Sequence, residues 1–304
     1  MTISDRPLLL ASNGRALADL AQEAIWEALD SHGAIVFRGF DVDDDGFYEF
    51  ASRFNQGFLV SPFSDRKAAS QSNELQTVTL GGAGLNLHFE YGSSPMRPDL
   101  LWFYCRKAAA EGAGGETLIA DGAAIFNRLK PETQAALRAR RVKYRNFVPT
   151  EAFEAMIRKN KTVESVIDGD VIPALSARRS FTITEETPQR VVFEFTAAPV
   201  APVGDEGALR VCQDIFADAY AKPSNGDAGD TFSVAVTWED GAEIEEDVLN
   251  DLKATTRSLT RGIRWRDGDF ALIDNNRQLH GRNRSGDPDR DIVMLSSFST
   301  RFRL

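Results

Sequence analysis

The chain contains only three histidines, so each can be judged separately as a metal ligand. His88 and Glu90 are separated by one residue and follow the glycine-rich turn Gly81–Gly84. On an extended segment, side chains two residues apart point to the same face. An imidazole and a carboxylate placed in this way could hold one ion.

His280 could supply a third ligand, because it follows the apolar strand predicted at Phe270–Ile273 and a polar turn. Two histidines and one carboxylate form the facial triad of non-haem iron(II) oxygenases, which leaves coordination positions for a cosubstrate and O2. The same ligands can hold zinc with an open fourth position. This spacing also arises by chance, so the residues alone leave a purely structural role open.

The other side chains with metal-binding chemistry are predicted to be structural. His32 precedes Gly33 at the end of the first predicted helix, where an imidazole can bond to terminal carbonyl groups. The two cysteines, Cys105 and Cys212, cannot form a disulfide framework in a chain of 304 residues. We expect both to be buried thiols.

The pattern of apolar residues predicts many short strands and few helices. The predicted helices are Arg15–Ser31, Gly122–Leu129, Pro131–Arg140 and Glu245–Leu259. The predicted strands are Ala34–Phe37, Gln76–Leu80, Leu100–Cys105, Arg190–Phe195, Thr231–Val236, Phe270–Ile273 and Ile292–Phe298. Strands spread along the whole chain favour a mainly β fold with flanking helices (α+β), with a jelly-roll barrel as its core. The segment Lys222–Asp230 is predicted to be a loop.

Charge and apolar patterning argue against nucleic acid and membranes as partners. The net charge of -10 disfavours nucleic acid, whose phosphates would be repelled. No segment approaches the roughly 20 apolar residues that span a bilayer, and no signal peptide opens the chain. We therefore expect one cytoplasmic domain over residues 1–304, with no membrane partner; its oligomeric state is left open.

Six segments around the candidate ligands resemble the taurine dioxygenase and clavaminate synthase-like oxygenases. They are Leu87–Tyr91, Pro98–Cys105, Gly114–Gly122, Ile263–Phe270, Ile273–Arg277 and Leu279–Arg282. They occur in the family's order, and the resemblance extends over about residues 33 to 303. It implies a double-stranded β-helix of the jelly-roll type, an iron(II) centre, 2-oxoglutarate as cosubstrate and O2.

The resemblance also implies roles for individual residues. His88, Glu90 and His280 match the iron ligands, and Thr117 matches a residue that bonds to a carboxylate of 2-oxoglutarate. The alternative for Thr117 is a strand threonine that only satisfies a neighbour.

An arginine beyond the distal histidine holds 2-oxoglutarate in this family through a planar fork. Arg290, ten residues after His280, is the best match. Relatives often have paired basic residues at this point, but Asp291 follows Arg290 here. Arg282 and Arg284 therefore remain alternatives.

The expected activity is hydroxylation, desaturation or cyclisation of a small molecule, with release of succinate and CO2. Glu90, in place of the commoner Asp, resembles the clavaminate synthase-like branch and favours an amino-acid-derived specialised metabolite, either free or bound to a carrier protein. The basic run Arg138–Arg145 is either a solvated helix end that runs into a strand or a docking site for such a carrier, which would be acidic. The alternatives are a zinc-dependent hydrolase and a non-catalytic jelly-roll protein that is stabilised by its metal.

Overall fold

The computed structural model describes residues 6–61, 66–70, 73–79, 81–155, 181–204, 207–215, 232–299 and 301. The chain divides into two compact units. Unit 1 comprises Met1–Leu87, Pro98–Asp121 and Arg261–Arg303, and unit 2 comprises His88–Arg97 and Gly122–Thr260 together with Leu304.

Unit 1 contains two sheets. The larger sheet has the strand order β1-β2-β15-β6-β17-β3, with β4 also paired to β17; the smaller sheet has the order β14-β7-β16-β5. The strands are β1 (Leu8–Ala11), β2 (Ala34–Arg38), β3 (Gly57–Leu59), β4 (Gln76–Thr77), β5 (Leu85–His88), β6 (Leu100–Lys107), β7 (Thr117–Asp121), β14 (Arg261–Ile263), β15 (Phe270–Asp274), β16 (Gln278–Arg282) and β17 (Asp291–Phe298).

Two helices, α1 (Gln22–His32) and α2 (Asp44–Ser52), contribute to the core of unit 1. α1 ends at Gly33, whose φ of 67° is a left-handed conformation that glycine adopts without strain. α2 begins after Asp43, whose carboxylate accepts a hydrogen bond from the Gly46 amide. Aromatic rings fill the core, and Phe37 on β2 stacks on Phe270 of β15 with the ring centroids 4.4 Å apart.

Unit 2 contains the antiparallel sheet β13-β8-β10-β9 and the strand pair β11-β12. Its strands are β8 (Val142–Pro149), β9 (Phe181–Glu186), β10 (Arg190–Ala197), β11 (Val200–Val203), β12 (Ala208–Val211) and β13 (Ser233–Trp238). Its helices within the described residues are α3 (Gly122–Arg128), α4 (Pro131–Ala139), α5 (Thr150–Phe153) and α6 (Glu246–Leu259). Burial alternates along β8, as expected for a strand with one face in the core.

The mainly β architecture with flanking helices is confirmed. The first helix, predicted at Arg15–Ser31, is corrected to a 3-10 turn at Leu17–Asp19 followed by α1, because Leu20 and Ala21 are extended. The strand predicted at Gln76–Leu80 ends at Thr77 in the structure. The loop predicted at Lys222–Asp230 lies outside the described residues.

None of the helices in the described part of the chain combines the length and the apolar character needed to cross a bilayer. The cytoplasmic location and the single domain over residues 1–304 stay predictions.

Candidate metal centre

The strands β5 and β16, which carry two of the candidate ligands, are neighbours in the smaller sheet of unit 1. His88 is the last residue of β5, and His280 lies at the centre of β16. Gly281 allows the two strands to approach closely, since a Cβ atom there would lie 2.6 Å from the backbone oxygen of Leu85. The sheet thus places two histidines, which are far apart in sequence, on adjacent strands.

His88, Glu90 and His280 form a cluster of three side chains that can hold a metal ion. One ligand atom from each residue lies within 4.8 Å of the other two. His88 Nε2 is 3.8 Å from Glu90 Oε2, and the Glu90 side chain is buried. Two imidazoles and one carboxylate are a donor set that suits iron(II) and leaves positions for other ligands, so these residues fit the expected metal.

The loop that carries Glu90 is held by a buried carboxylate from a distant segment of unit 2. The Asp214 side chain is fully buried, and its Oδ1 accepts a 2.7 Å hydrogen bond from the Phe89 amide. At Gly92, an added Cβ atom would lie 2.2 Å from Asp214 Oδ2. Tyr91, which lies between Glu90 and Gly92, has a φ of 53°, an uncommon conformation for a residue with a side chain. These contacts fix the turn that follows His88.

The strand register places Thr117 on the same face of the smaller sheet as His280. His280 pairs with Ile119, and Arg282 pairs with Thr117. Because alternate residues of a strand share a face, Thr117 lies about 7 Å further along the face that carries His280. Its Oγ1 accepts a 3.1 Å hydrogen bond from Trp265 Nε1. A hydroxyl group that accepts one bond can still donate its proton to a carboxylate.

Arg290 lies beside the backbone that leads into β7. Its Nε donates a 2.9 Å hydrogen bond to the Gly115 carbonyl oxygen. Gly115 has a φ of +83°, and a Cβ atom there would lie 2.8 Å from Arg290 Cδ. Burial, followed by the charge of Arg282, lowers the pKa of Arg290. Two neighbouring guanidinium groups thus form a positively charged region next to Thr117.

The other two candidate arginines are placed differently from Arg290. Arg282 is buried and uses Nε, Nη1 and Nη2 to donate to the backbone oxygens of Thr79 and Ala83. Arg284 is exposed. In contrast, the structure gives the Arg290 guanidinium one hydrogen bond within the described residues, from Nε, so its two terminal nitrogens remain available for a carboxylate fork.

The cysteines are buried as the sequence predicts, whereas His32 contacts a backbone oxygen outside its helix instead of the terminal carbonyl groups predicted for it. His32 is the last residue of α1, and its Nδ1 lies 3.2 Å from the Arg6 backbone oxygen. Cys105 and Cys212 are both buried. Sequence reasoning missed Asp214 and Trp265, because a lone aspartate and a lone tryptophan carry no signal of their distant partners.

A mainly β fold that brings two imidazoles and one carboxylate together defines the class of non-haem iron oxygenases. The chain matches the family described as "Taurine catabolism dioxygenase TauD, TfdA family" over residues 4–296. The chain belongs to this family, whose members are iron(II)- and 2-oxoglutarate-dependent dioxygenases that use O2 and act on small molecules.

Individual relatives agree with this assignment. The dapdiamide synthesis protein DdaC from Enterobacter agglomerans is 25% identical over 293 residues, which cover 90% of this chain and 86% of the relative. A clavaminate synthase-like protein from Arabidopsis thaliana is 25% identical over 289 residues, which cover 87% of this chain and 81% of the relative. The structure of a taurine dioxygenase from Burkholderia xenovorans has a TM-score of 0.59 at 14% identity and covers 98% of this chain and 88% of its own. This last likeness shows the fold, the jelly-roll core of the taurine dioxygenase-like oxygenases.

Proposed function

We propose that His88, Glu90 and His280 hold the iron(II) of this dioxygenase, and that Thr117 and Arg290 bind 2-oxoglutarate. The observation that carries the proposal is the cluster in which one ligand atom of each triad residue lies within 4.8 Å of the others. When bound, iron(II) with 2-oxoglutarate and O2 supplies the oxidant that attacks a C–H bond, with release of succinate and CO2.

The chain's own residues orient the cosubstrate and exclude water. The Arg290 fork offers two parallel charge-assisted bonds to a carboxylate, while Thr117 donates its hydroxyl proton to the same anion. Thr117, Glu90 and His280 are all buried, so these interactions operate away from bulk water, where electrostatic attraction is stronger. The hydrogen bond from Trp265 to Thr117 Oγ1 orients the hydroxyl group.

Metal binding and cosubstrate turnover test the site together. The wild-type chain, prepared without oxygen, should bind one iron(II) and develop a weak visible charge-transfer band when 2-oxoglutarate is added. His280→Ala should lose the band and succinate formation, whereas His32→Ala, which removes the remaining histidine, should retain both. Stoichiometric zinc without such a band would refute the proposal in favour of a zinc hydrolase or a metal-stabilised binding protein. A His280→Ala variant that keeps the band and succinate formation would refute the assignment of His280 as an iron ligand.

We further propose that the substrate is an amino-acid-derived specialised metabolite. Glu90 supports this by its resemblance to the clavaminate synthase-like branch, and the name of the relative from Enterobacter agglomerans refers to dapdiamide synthesis. Amino acids, their simple derivatives and carrier-bound aminoacyl groups should be incubated with the iron(II) enzyme and 2-oxoglutarate. Gain of one oxygen atom would indicate hydroxylation, and loss of two hydrogens would indicate desaturation or ring closure. Turnover of alkyl sulfonates or terpenoids alone would contradict this substrate class.

The ion pairs of the basic run favour a free substrate over one bound to a carrier protein. In the basic run Arg138–Arg145, Arg140 contacts Asp240 and Glu245, Arg141 contacts Glu239, and Arg145 contacts Glu194. Carboxylates of the same unit therefore compensate much of the charge that would attract an acidic carrier.

A further inference from the structure

Asn146 has a buried side-chain amide that forms no hydrogen bond with the described residues. It lies within β8, its side chain is fully buried, and neither Oδ1 nor Nδ2 has a partner in the part of the chain that the structure describes. The side chain offers two N–H donors and one acceptor oxygen. Buried polar groups are nearly always paired, because an unpaired one has lost its bonds to water without compensation. Asn146 is therefore a candidate for forming hydrogen bonds with a ligand.

The surroundings of Asn146 are apolar. It pairs with Phe193 on β10 and with Val234 on β13, and all three side chains are buried. Its neighbours on the same face of β8, two residues away in each direction, are Tyr144 and Val148, both fully buried. A charged ligand group would lose its hydration here, which disfavours a carboxylate or an ammonium.

The face of β8 that carries Asn146 is connected to the candidate metal loop within unit 2. The Tyr144 hydroxyl donates a 2.7 Å hydrogen bond to the Asp214 backbone oxygen. Asp214 Oδ1 in turn accepts from the amide of Phe89, the residue between His88 and Glu90. Asn146 lies about 7 Å from Tyr144 along the strand, on the same face. Asn146 and the metal loop are therefore linked through Tyr144 and Asp214.

We propose that Asn146 is a specificity-determining residue that recognises a neutral amide group of the substrate. A primary carboxamide carries an N–H and a C=O side by side, so it can form two bonds with the Asn146 amide at once. An ester of the same shape lacks the N–H and can form one. This inference rests on the proposed function, because it names the chemical class of the substrate at the same site.

Matched probes test the recognition. Amino-acid amides and the corresponding methyl esters, both without an N-acyl group, would be titrated, without oxygen, into the enzyme loaded with iron(II) and 2-oxoglutarate. Dissociation constants would be measured by calorimetry. The wild-type enzyme should bind at least one amide about 10-fold more tightly than its ester, because one additional buried bond forms.

Asn146→Leu, which removes both hydrogen-bonding groups at similar volume, should weaken binding of that amide by about 10- to 100-fold. It should change ester binding much less. The control is Thr256→Val, because Thr256 also buries a hydroxyl oxygen without a partner in unit 2, on α6. This variant should retain the preference for the amide.

Stability separates recognition from an internal structural role. Because the Asn146 side chain has no hydrogen bond to lose among the described residues, Asn146→Leu should have a Tm equal to or above that of the wild type in the absence of probe. A clearly lower Tm, equal binding of amides and esters by the wild type, no binding of any amide, or an unchanged preference in Asn146→Leu would each overturn the inference. The charge-transfer band with 2-oxoglutarate reports on the proposed function separately, and probe binding requires no turnover.

Discussion

The backbone amide of Phe89 donates a 2.7 Å hydrogen bond to Asp214 Oδ1, across 125 residues of sequence. Phe89 lies between His88 and Glu90, so this bond fixes the peptide that joins two of the three candidate ligands. Asp214 Oδ2 also contacts the position of Gly92, where no side chain would fit. Asp214 is therefore a positioning residue for the metal loop.

Asp214→Ala should weaken iron(II) binding by about 10- to 100-fold, the usual effect of removing a group that orients metal ligands. Asp214→Asn is the matched control, because its amide oxygen can still accept the bond from the Phe89 amide. Anaerobic competition titration with a chromogenic chelator measures the affinities. Equal iron affinity of Asp214→Ala and the wild type would show that the loop holds its shape without this bond.

Arg290→Ala should raise the KM for 2-oxoglutarate by roughly 10- to 100-fold, because it removes two charge-assisted bonds to a carboxylate. Iron(II) affinity measured without 2-oxoglutarate should stay unchanged. The exposed Arg284 provides the control, and Arg284→Ala should behave like the wild type. If Arg284→Ala raises the KM for 2-oxoglutarate and Arg290→Ala does not, Arg284 binds the cosubstrate instead of Arg290.

Elements with long apolar runs could be predicted from the sequence together with their bounds, whereas the half-exposed strand β8 could be predicted only without them. The run at Leu100–Cys105 is buried from end to end in β6, and its boundary is correct to within two residues. The basic run Arg138–Arg145 predicts a helix end that runs into a strand, and in the structure α4 ends at Ala139 and β8 begins at Val142. The end of β8 could not be predicted, because its buried residues alternate with charged ones and its extent depends on pairing with β10 and β13.

The candidate ligands could be predicted because the His-X-Glu motif is local and the distal histidine lies in a recognisable segment. The residues that support them could not be, since each acts through a partner far away in sequence. Asp214 contacts Phe89 only after the chain has folded, and Trp265 reaches Thr117 across 148 residues. The proposal of Arg290 over Arg282 likewise rests on distant partners, because Arg282 uses three nitrogens on backbone oxygens and Arg290 uses one.

Asp121→Asn should destabilise the protein by about 3–5 kcal/mol, because it leaves the buried charge of Arg277 without compensation. The two side chains are each 1% exposed and lie 2.6 Å apart, and Gln278 donates to the same carboxylate oxygen. Asp289→Asn is the matched control: it makes the same chemical change in the exposed pair with Lys107 and should leave the free energy of unfolding nearly unchanged. Urea unfolding measures both, and similar midpoints for the two variants would contradict the prediction.

Cys105 should resist alkylation in the folded protein. Burial raises the pKa of its thiol from 9.0 to about 12. Since only the thiolate reacts, the reactive fraction at pH 8 should be about 1000-fold smaller than in the unfolded chain. In a Cys212→Ser background, which leaves Cys105 as the single thiol, labelling by iodoacetamide can be followed by mass spectrometry.

The pH dependence provides the sharper test of the Cys105 pKa. In the folded protein the labelling rate should rise about tenfold per pH unit from pH 8 to pH 11 without levelling off, whereas the urea-unfolded control should reach a plateau just above pH 9. The folded state should also lose stability as the pH rises from 9 towards 12, because the unfolded chain releases the thiol proton first. A plateau near pH 9 in the folded protein would show that the thiol has its ordinary pKa and is accessible to water.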